Sequence, residues 1–243
     1  EKGVTNAAVM VVDAPTREVL GYLGSADFRQ AEIAGQVDVL RAKRSPGSLY
    51  KPFLYGLAMD QGLLHPHSLL ADAPMRFRDY NPENYERDFL GPVKAGEALF
   101  RSRNLPALSL MRRIHGHGLY DYLKRGGVQM RHGPEHYGLS LALGAAAATP
   151  EEMAVLYASL ADDGLPRPLV YQKGKTSQAT QRLPLLSSGT RWLLRHMLAD
   201  PQYGEPQLNP SLSFKTGTSQ GFRDAWAIGI SGRSVIVVWV GHS

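Results

Sequence analysis

The chain has 243 residues, 43% of them hydrophobic and 20% charged, which suits one large domain or two small lobes around a sizeable core. Cysteine is absent, so disulfides, thiolate catalysis and cysteine-ligated metals are excluded. The net charge is +5, but no tight cluster of lysine and arginine with interleaved aromatic residues accompanies it, and nucleic acid binding is therefore not expected.

The first part of the chain predicts a β-hairpin followed by a helix. Residues 7–12 and 18–23 are short apolar runs with turn-forming residues between them. Residues 27–44 have weak periodicity and are interpreted as a loop. A turn signal at Pro46-Gly47 precedes apolar residues at helical spacing, which predicts a buried helix that ends near residues 60–62.

The middle of the chain is dominated by helical patterns. Residues 63–93 contain four prolines and few periodic apolar residues, which favours an irregular surface segment. Periodic apolar residues then predict three short helices, at 94–101, at 105–114, and from residue 119 to an end at Gly126-Gly127. The alanine-rich residues 139–148 fit either a buried helix or a packed turn.

A clear helix start follows at Thr149-Pro-Glu-Glu152, with threonine as N-cap, proline at the first helical position and glutamate two positions further on. This helix is predicted to end at Gly164. The next predicted elements are a strand at 167–173, a loop at 173–182, and a helix from 187 to 198 with Trp192, Leu193 and Met197 facing inward.

The end of the chain predicts three strands, at 212–216, 225–230 and 234–240, the last two joined by a tight turn at residues 231–233. Strands at both ends with helices between them predict an α+β fold. We expect the terminal strands to form one five-stranded antiparallel sheet flanked by helices, beside a mostly helical lobe.

Ser48 and Lys51 are three residues apart, so their side chains meet if a helix begins here. A helix N-terminus stabilises negative charge. A serine hydroxyl needs a base beside it to act as a nucleophile, and a lysine is such a base only if burial or a nearby cation lowers its pKa. Ser-x-x-Lys alone arises easily by chance, so its meaning depends on the rest of the chain.

Two further motifs give it meaning. Ser102-Arg-Asn104 lies between predicted helices, and Lys215-Thr-Gly-Thr218 lies in a predicted strand. With Ser48-Leu-Tyr-Lys51, their order and contexts are similar to the Ser-x-x-Lys, Ser-Asp-Asn and Lys-Thr-Gly set of the serine β-lactamases and penicillin-binding proteins. Ser25-Ala-Asp27 also fits a loose second motif, but it precedes the nucleophile and is discounted.

Longer segments, at 44–55, 97–106, 141–144 with 149–152, and 215–219, resemble the transpeptidase domain of the class A penicillin-binding proteins. Residues 218–229 are similar to the 1C subgroup of that class. The resemblance covers nearly the whole chain and implies a single penicillin-binding domain over residues 1–243. A sheet lobe is expected at about 1–47 and 150–243, and a helical lobe at about 48–149. The glycosyltransferase domain and membrane anchor that normally precede such a domain have no counterpart in these residues.

The resemblance implies a serine D,D-transpeptidase mechanism. Ser48 attacks the carbonyl between two D-alanines of a peptidoglycan stem peptide, and Lys51 takes its proton. Lys215 helps to keep Lys51 neutral and sets the local potential. Ser102 relays a proton to the leaving amine, and Asn104 forms hydrogen bonds with the substrate amide.

The same resemblance implies how substrate is held, by Thr216, Gly217, Thr218 and Ser219. The hydroxyls of Thr216 and Thr218 bind the terminal carboxylate. The backbone N–H groups of Ser48 and Thr218 form the oxyanion hole. No cofactor and no metal are implied.

The implied partners are a D-Ala-D-Ala donor stem peptide, an amine acceptor on a second stem peptide, and β-lactams as covalent inhibitors. Other cell-wall synthesis proteins are candidate partners, and nucleic acid is not. The implied location is extracytoplasmic, in the periplasm or on the outer face of the cytoplasmic membrane, with the full-length protein membrane-anchored.

Alternative interpretations stay open for single residues. Ser102 could cap the following helix, Asn104 could hold a turn, and Lys215 could protect a sheet edge. His65-Pro-His67 and His115-Gly-His117 suggest a metal, but no third ligand is spaced with either pair, so a metal site is not expected.

Alternative functions also stay open. A D,D-carboxypeptidase or β-lactamase on the same fold would transfer the acyl group to water, although Arg103 stands where a class A β-lactamase usually has aspartate. A non-enzymatic β-lactam-binding or sensor module would be acylated without turnover.

Overall fold

The computed structural model describes residues 4–75, 83–84, 88–115, 118–199 and 212–242. Its strands are β1 (Asn6–Asp13), β2 (Val19–Leu23), β3 (Leu69–Asp72), β4 (Gly91–Lys94), β5 (Ser213–Thr218), β6 (Asp224–Ser231) and β7 (Ser234–Gly241). Its helices are α1 (Lys51–Asp60), α2 (Ala95–Phe100), α3 (Asn104–Arg113), α4 (Gly118–Arg125), α5 (Pro134–Tyr137), α6 (Pro150–Ala161) and α7 (Ser188–Met197). Short 3-10 turns lie at Ala31–Ile33, Val39–Arg41, Gly47–Tyr50 and Gly138–Leu143.

Five strands form one antiparallel sheet in the order β2-β1-β7-β6-β5. The first hairpin therefore joins the last strands, since β1 pairs with β7 along its whole length, from Asn6 opposite Gly241 to Asp13 opposite Ser234. This sheet and the helices beside it confirm the predicted α+β fold. The strand β5 forms one edge of the sheet.

The core lies between one face of the sheet and the helices. Alternate residues of β1 and β7 are buried, as strand geometry requires, and α6 packs against both strands. Helix α1 lies deep in the helical layer, where Phe53 stacks on Tyr122 at 5.5 Å and meets Tyr157 edge-on at 5.1 Å between ring centroids. Among the described residues, no helix is long and apolar enough to cross a membrane.

The start of α6 confirms the predicted cap. The Glu152 N–H donates to the Thr149 hydroxyl oxygen at 3.1 Å, and the Thr149 N–H donates to the Glu152 carboxylate at 2.9 Å. This reciprocal pair satisfies two backbone donors that the helix would leave unpaired, a contribution of about 1 kcal/mol.

Three local predictions are wrong. Residues 63–93 are not wholly irregular, because β3 and β4 pair across a long connection that leaves no local periodicity. Residues 167–173 form no strand and make only an isolated bridge between Val170 and Glu18, since Pro168 interrupts the backbone donors. Trp192 is 48% exposed, because the buried face of α7 runs through Thr190, Leu194 and Met197.

Candidate active site

Ser48 lies in the 3-10 turn Gly47–Tyr50, directly before α1, and Lys51 is the first residue of that helix. Ser48 is half-buried, whereas Lys51 is fully buried. Two buried tyrosines fix the turn: the Tyr50 hydroxyl donates to the Ala146 carbonyl at 3.0 Å, and the Tyr157 hydroxyl donates to the Leu49 carbonyl at 2.9 Å. The turn therefore holds Ser48 on a rigid base.

Ser102 ends α2 in a left-handed conformation, with φ of 59°. Its N–H donates to the Leu99 carbonyl at 3.0 Å, and the Arg103 N–H donates to the Ala98 carbonyl at 2.9 Å, the two bonds of a Schellman motif. Glycine usually occupies this position, and a residue with a Cβ costs roughly 1–2 kcal/mol there. The strained backbone places both the carbonyl and the hydroxyl of Ser102 toward the interior lysines.

Two lysines converge on Ser102. Lys51 Nζ donates to the Ser102 carbonyl at 2.5 Å and to Asn104 Oδ1 at 2.7 Å, and it lies 3.5 Å from the Ser102 hydroxyl. Lys215 Nζ, from β5, donates to the same hydroxyl at 2.8 Å and to the Thr216 carbonyl at 2.9 Å. The Ser102 hydroxyl thus bridges the two amines. Within the described residues, neither lysine has a carboxylate at ion-pair distance.

The edge strand β5 passes very close to the Ser48 turn. Gly47 has φ of 55°, and a Cβ atom there would lie 2.4 Å from the Thr218 carbonyl oxygen. A Cβ atom at Gly217 would lie 2.2 Å from the Pro46 carbonyl oxygen. Only glycine allows this approach, which brings the backbone of Ser48 beside that of Thr218.

The environment of the lysines lowers the pKa of both amines. Burial lowers the pKa of Lys51 well below its usual range, and the nearby positive charges of Lys215 and Arg103 lower it further, while Asp72 opposes them. Burial also lowers the pKa of Lys215, to about 7. A neutral Lys51 has two N–H donors and one lone pair. The Ser102 carbonyl and Asn104 Oδ1 engage the two donors, which leaves the lone pair to accept a proton.

The rest of β5 follows strand alternation. Lys215 and Gly217 are buried toward the Ser48 turn, whereas Thr216 and Thr218 are exposed at the sheet edge. Ser219 departs from the prediction that it binds substrate. It is buried, and its hydroxyl oxygen accepts from the Asp224 N–H at 2.9 Å, so the structure favours a role in fixing the connection from β5 to β6.

A buried polar cluster that no sequence pattern predicts lies next to the second motif. Arg103 Nε donates to Asp72 Oδ2 at 2.7 Å, and Asn84 Nδ2 donates to Asp72 Oδ1 at 2.7 Å. The Asn104 N–H donates to Asn84 Oδ1 at 2.9 Å. Neither Asp72 nor Asn84 belongs to a recognisable motif, and both lie in the segment interpreted as irregular.

The two histidine pairs were the only metal candidates in the sequence, and the structure describes one of them in full. His65 and His67 lie with their rings 5.5 Å apart, and His117 lies outside the described residues. In the part of the chain that the structure describes, no three histidine or acidic side chains are grouped so as to hold a metal ion.

The fold and this convergence of three motifs define a known class of protein. A family model described as the penicillin binding protein transpeptidase domain matches residues 7–241, and the chain belongs to this family. Penicillin-binding protein 1C of Escherichia coli K12 is 41% identical over 252 residues, which cover 98% of this chain and 31% of that protein. The predicted resemblance to the class A proteins and their 1C subgroup is confirmed. The chain spans about a third of the length of this relative.

Solved structures share the fold. Penicillin-binding protein 1A from Haemophilus influenzae superposes with a TM-score of 0.79 at 23% identity, covering 98% of this chain and 43% of that one. PonA1 from Mycobacterium tuberculosis, solved in complex with penicillin V, gives a TM-score of 0.77 at 22% identity, covering 100% of this chain and 71% of that one.

Proposed function

We propose that this chain is a serine D,D-transpeptidase domain that cross-links peptidoglycan stem peptides through an acyl-enzyme on Ser48. The observation that carries the proposal is the pair of buried lysines that share the Ser102 hydroxyl beside the Ser48 turn. Two buried amines with no carboxylate at ion-pair distance among the described residues are costly to keep in a protein interior. Such an arrangement is typical of a site that needs a base at neutral pH.

In the acylation step, the Ser48 oxygen attacks the carbonyl carbon between the two D-alanines, and its proton passes to neutral Lys51. The collapse of the tetrahedral intermediate breaks the peptide bond. The leaving amine of D-alanine takes a proton through Ser102, whose hydroxyl contacts Lys215 and lies near Lys51. An ester between the stem peptide and Ser48 remains.

In the transfer step, an amine of a second stem peptide attacks this ester. A new peptide bond forms, Ser48 leaves as the hydroxyl, and the proton of the attacking amine returns through the same lysine and serine groups. The acceptor competes with water, which would give the carboxypeptidase reaction instead.

Substrate binding is assigned to the edge strand. The hydroxyls of Thr216 and Thr218 are exposed there and would bind the terminal carboxylate, with Lys215 adding positive potential. The backbone N–H groups of Ser48 and Thr218 would stabilise the oxyanion, a role supported by the close approach of Gly47 to Thr218. Each such donor is worth about 3–4 kcal/mol in the transition state. Asn104 would position the substrate amide.

A β-lactam would mimic D-Ala-D-Ala and leave Ser48 stably acylated. PonA1, which shares this fold, is solved with penicillin V. We place the reaction outside the cytoplasmic membrane, where the substrate polymer lies, in a longer membrane-anchored protein that works with other cell-wall synthesis proteins.

The test is to incubate the chain with a fluorescent penicillin and locate the adduct by mass spectrometry. We expect one adduct, on Ser48, that is lost in Ser48→Ala and kept in the control Ser177→Ala, whose hydroxyl contacts the Pro168 carbonyl in an exposed segment. An adduct elsewhere, or labelling unchanged in Ser48→Ala, would overturn the nucleophile assignment.

A second measurement separates the transferase from its alternatives. The chain is incubated with a D-Ala-D-Ala peptide and with a D-amino acid as acceptor, and the products are identified by mass spectrometry. We expect the exchanged peptide and a penicillin adduct that decays slowly. Hydrolysed peptide alone would indicate a carboxypeptidase, rapid loss of the adduct a β-lactamase, and a stable adduct without any peptide product a sensor.

A further inference from the structure

Arg103, the middle residue of the second motif, points into the protein rather than into solvent. Its side chain is 3% exposed. Nε donates to Asp72 Oδ2 at 2.7 Å, and Nη2 donates to the Asp88 carbonyl at 2.6 Å and to Asp88 Oδ1 at 2.7 Å. The guanidinium therefore ties the end of β3 to the segment that leads into β4.

Asp72 and Asn84 complete this tie. Asp72 is fully buried, and its Oδ2 also accepts from the Leu90 N–H at 3.1 Å, while its Oδ1 accepts from Asn84 Nδ2. Asn84 Nδ2 also donates to the Asp88 carbonyl at 2.9 Å. We call Arg103, Asp72, Asn84 and Asp88 the clamp. Arg103, Asp72 and Asn84 are buried, whereas the Asp88 side chain is 51% exposed. A buried network whose donors and acceptors are paired is rigid and specifies one arrangement of its members.

The clamp reaches the active site through Asn104. Asn84 Oδ1 accepts from the Asn104 N–H at 2.9 Å, and the neighbouring Glu83 carbonyl accepts from Asn104 Nδ2 at 2.8 Å. At the other end of the amide, Asn104 Oδ1 accepts from Lys51 Nζ. The clamp thus fixes the direction of the carboxamide, with its oxygen toward the lysine.

We propose that Arg103 is a positioning residue: through Asp72, Asp88 and Asn84 it holds residues 83–84 against Asn104, and so aims the Asn104 carboxamide at Lys51. Its kinetic consequence rests on the proposed function, in which Lys51 takes the proton of Ser48. Its structural consequence, a clamped segment, does not depend on that function.

The clamp also carries charge close to Lys51. The charged groups that face Lys51 are Lys215 from β5, Arg103 before α3, and Asp72 from β3. Arg103 lowers the pKa of Lys51 and Asp72 raises it, after burial and Lys215 have lowered it. Substitutions of the two clamp residues therefore move the pKa of Lys51 in opposite directions, which a purely structural role would not do.

The first experiment is hydrogen exchange of the whole chain, followed by mass spectrometry, for Arg103→Lys and Arg103→Met. The matched control is Arg101→Lys, two residues away, where the arginine is half-exposed and pairs with Glu97. We expect peptides that contain Leu90 and Asn104 to exchange about tenfold faster in both Arg103 variants and unchanged in the control. Unchanged exchange in the Arg103 variants would overturn the clamp, whatever the chain catalyses.

The second experiment measures the rate of acylation by a fluorescent penicillin across pH. Arg103→Lys keeps the charge but loses the guanidinium fork, so we expect acylation about tenfold slower with the acidic limb of the pH profile unmoved. Arg103→Met removes the charge and should move that limb to higher pH. Asp72→Asn should move it to lower pH.

If Arg103→Lys, Arg103→Met and Asp72→Asn all acylate more slowly but with the acidic limb of the pH–rate profile unmoved, Arg103 has only a structural role and the proposal is overturned. If thermal denaturation shows that Arg103→Met or Asp72→Asn does not fold, Arg103→Lys and Asp88→Asn decide the question by exchange and by rate. If the unchanged chain gives no adduct on Ser48, the proposed function fails, while the exchange experiment still decides the clamp.

Discussion

Two of the clusters that bury basic side chains in the described part of the chain differ in the partners of those side chains. At the turn between β1 and β2, the side chain of Arg17 is fully buried, and its guanidinium lies 3.4 Å from Asp162 and 3.8 Å from Asp163 while donating to the Leu165 carbonyl at 2.9 Å. In the candidate active site, Lys51 and Lys215 are buried as deeply, but their described partners are hydroxyl, carbonyl and amide oxygens.

The difference shows how the free-energy cost of burying a charged group depends on the partners of that group. Burial disfavours any charged group, and a nearby carboxylate offsets that cost. Arg17 has such partners and serves as a structural tie. Among the described residues the lysines have no carboxylate at ion-pair distance. Burial, which also lowers the pKa of Arg17, brings the pKa of Lys215 to about 7 and that of Lys51 well below its usual range. The proposed site therefore differs from the structural tie at Arg17 in holding buried basic groups that have no carboxylate at ion-pair distance among the described residues.

The largest expected effect comes from removing Lys51, the proposed general base. Lys51→Met should slow acylation by penicillin by about 10³-fold, since a positioned general base contributes on that order. Because the variant removes a buried amine, its free energy of unfolding should not fall. Gel-based acylation rates and thermal denaturation check both parts. A variant that is acylated within tenfold of the normal rate would exclude Lys51 as the base.

The second prediction concerns the close contact between the Ser48 turn and β5. Gly47→Ala should slow acylation about 100-fold, because the new methyl group would push the Ser48 turn away from Thr218. The control is Gly62→Ala, which has φ of 69° but no atom within 4 Å of the new Cβ, and should cost only about 1 kcal/mol of stability. Equal acylation rates in the two variants would contradict the steric argument.

Arg17 and its partners Asp162 and Asp163, the paired cluster, should affect stability and not acylation. Arg17→Met is expected to lower the free energy of unfolding by about 2–3 kcal/mol, less than for a fully buried pair, because Asp162 and Asp163 are partly exposed and keep Arg167. The acylation rate of the folded protein should stay the same. Denaturant titration and acylation of the same sample measure the free energy of unfolding and the acylation rate. Loss of acylation without loss of stability would show that Arg17 is not a purely structural residue.

Lys215 links stability to pH. Its folded pKa of about 7 lies below the usual lysine value, so between about pH 7 and 10.5 the unfolded chain binds more protons than the folded chain. The stability of the protein should therefore rise with pH through this window. Lys215→Met should flatten the rise and add about 1–2 kcal/mol at neutral pH, at the expense of acylation. A rise with pH as steep as before would show that Lys215 is charged in the folded state.

The smallest effect is expected at Asp13, a carboxylate beside the paired cluster. Arg233 holds the pKa of Asp13 at about 2, with burial opposing and Thr16 assisting. The folded pKa is below the unfolded value, so stability is present above pH 4 and lost as pH falls toward 2. About 1 kcal/mol is expected after allowance for the exposed arginine. In Asp13→Asn, the free energy of unfolding measured by acid titration should not show this loss of about 1 kcal/mol between pH 4 and 2.

Local patterns predict much of this fold. The apolar runs of β1 and β7, the capping box of α6 and the turn before α1 are encoded by neighbouring residues, and their predicted places match the structure. The pairing of β3 with β4 has no such signal, because it joins segments about 20 residues apart through a proline-containing connection.

The candidate site divides in the same way. Three motifs name Ser48 with Lys51, Ser102 and Lys215. The structure joins both lysines to the Ser102 hydroxyl and places the Ser48 turn against β5. What holds them is not readable from sequence: the left-handed backbone of Ser102 occurs at a residue that seldom adopts it, and the clamp joins residues without a motif. Backbone strain and contacts between distant segments arise from packing of the whole chain.

The strand order has a consequence for how the protein folds. The first strand, β1, has its full-length partner in β7, more than 200 residues later, so the sheet cannot close until nearly all of the domain is available. Contacts of such long sequence separation make folding slow and leave strand edges exposed in the meantime. If the chain is acylated on Ser48 as proposed, acylation by penicillin should report that the sheet has closed, and chains that lack β7 should not be labelled.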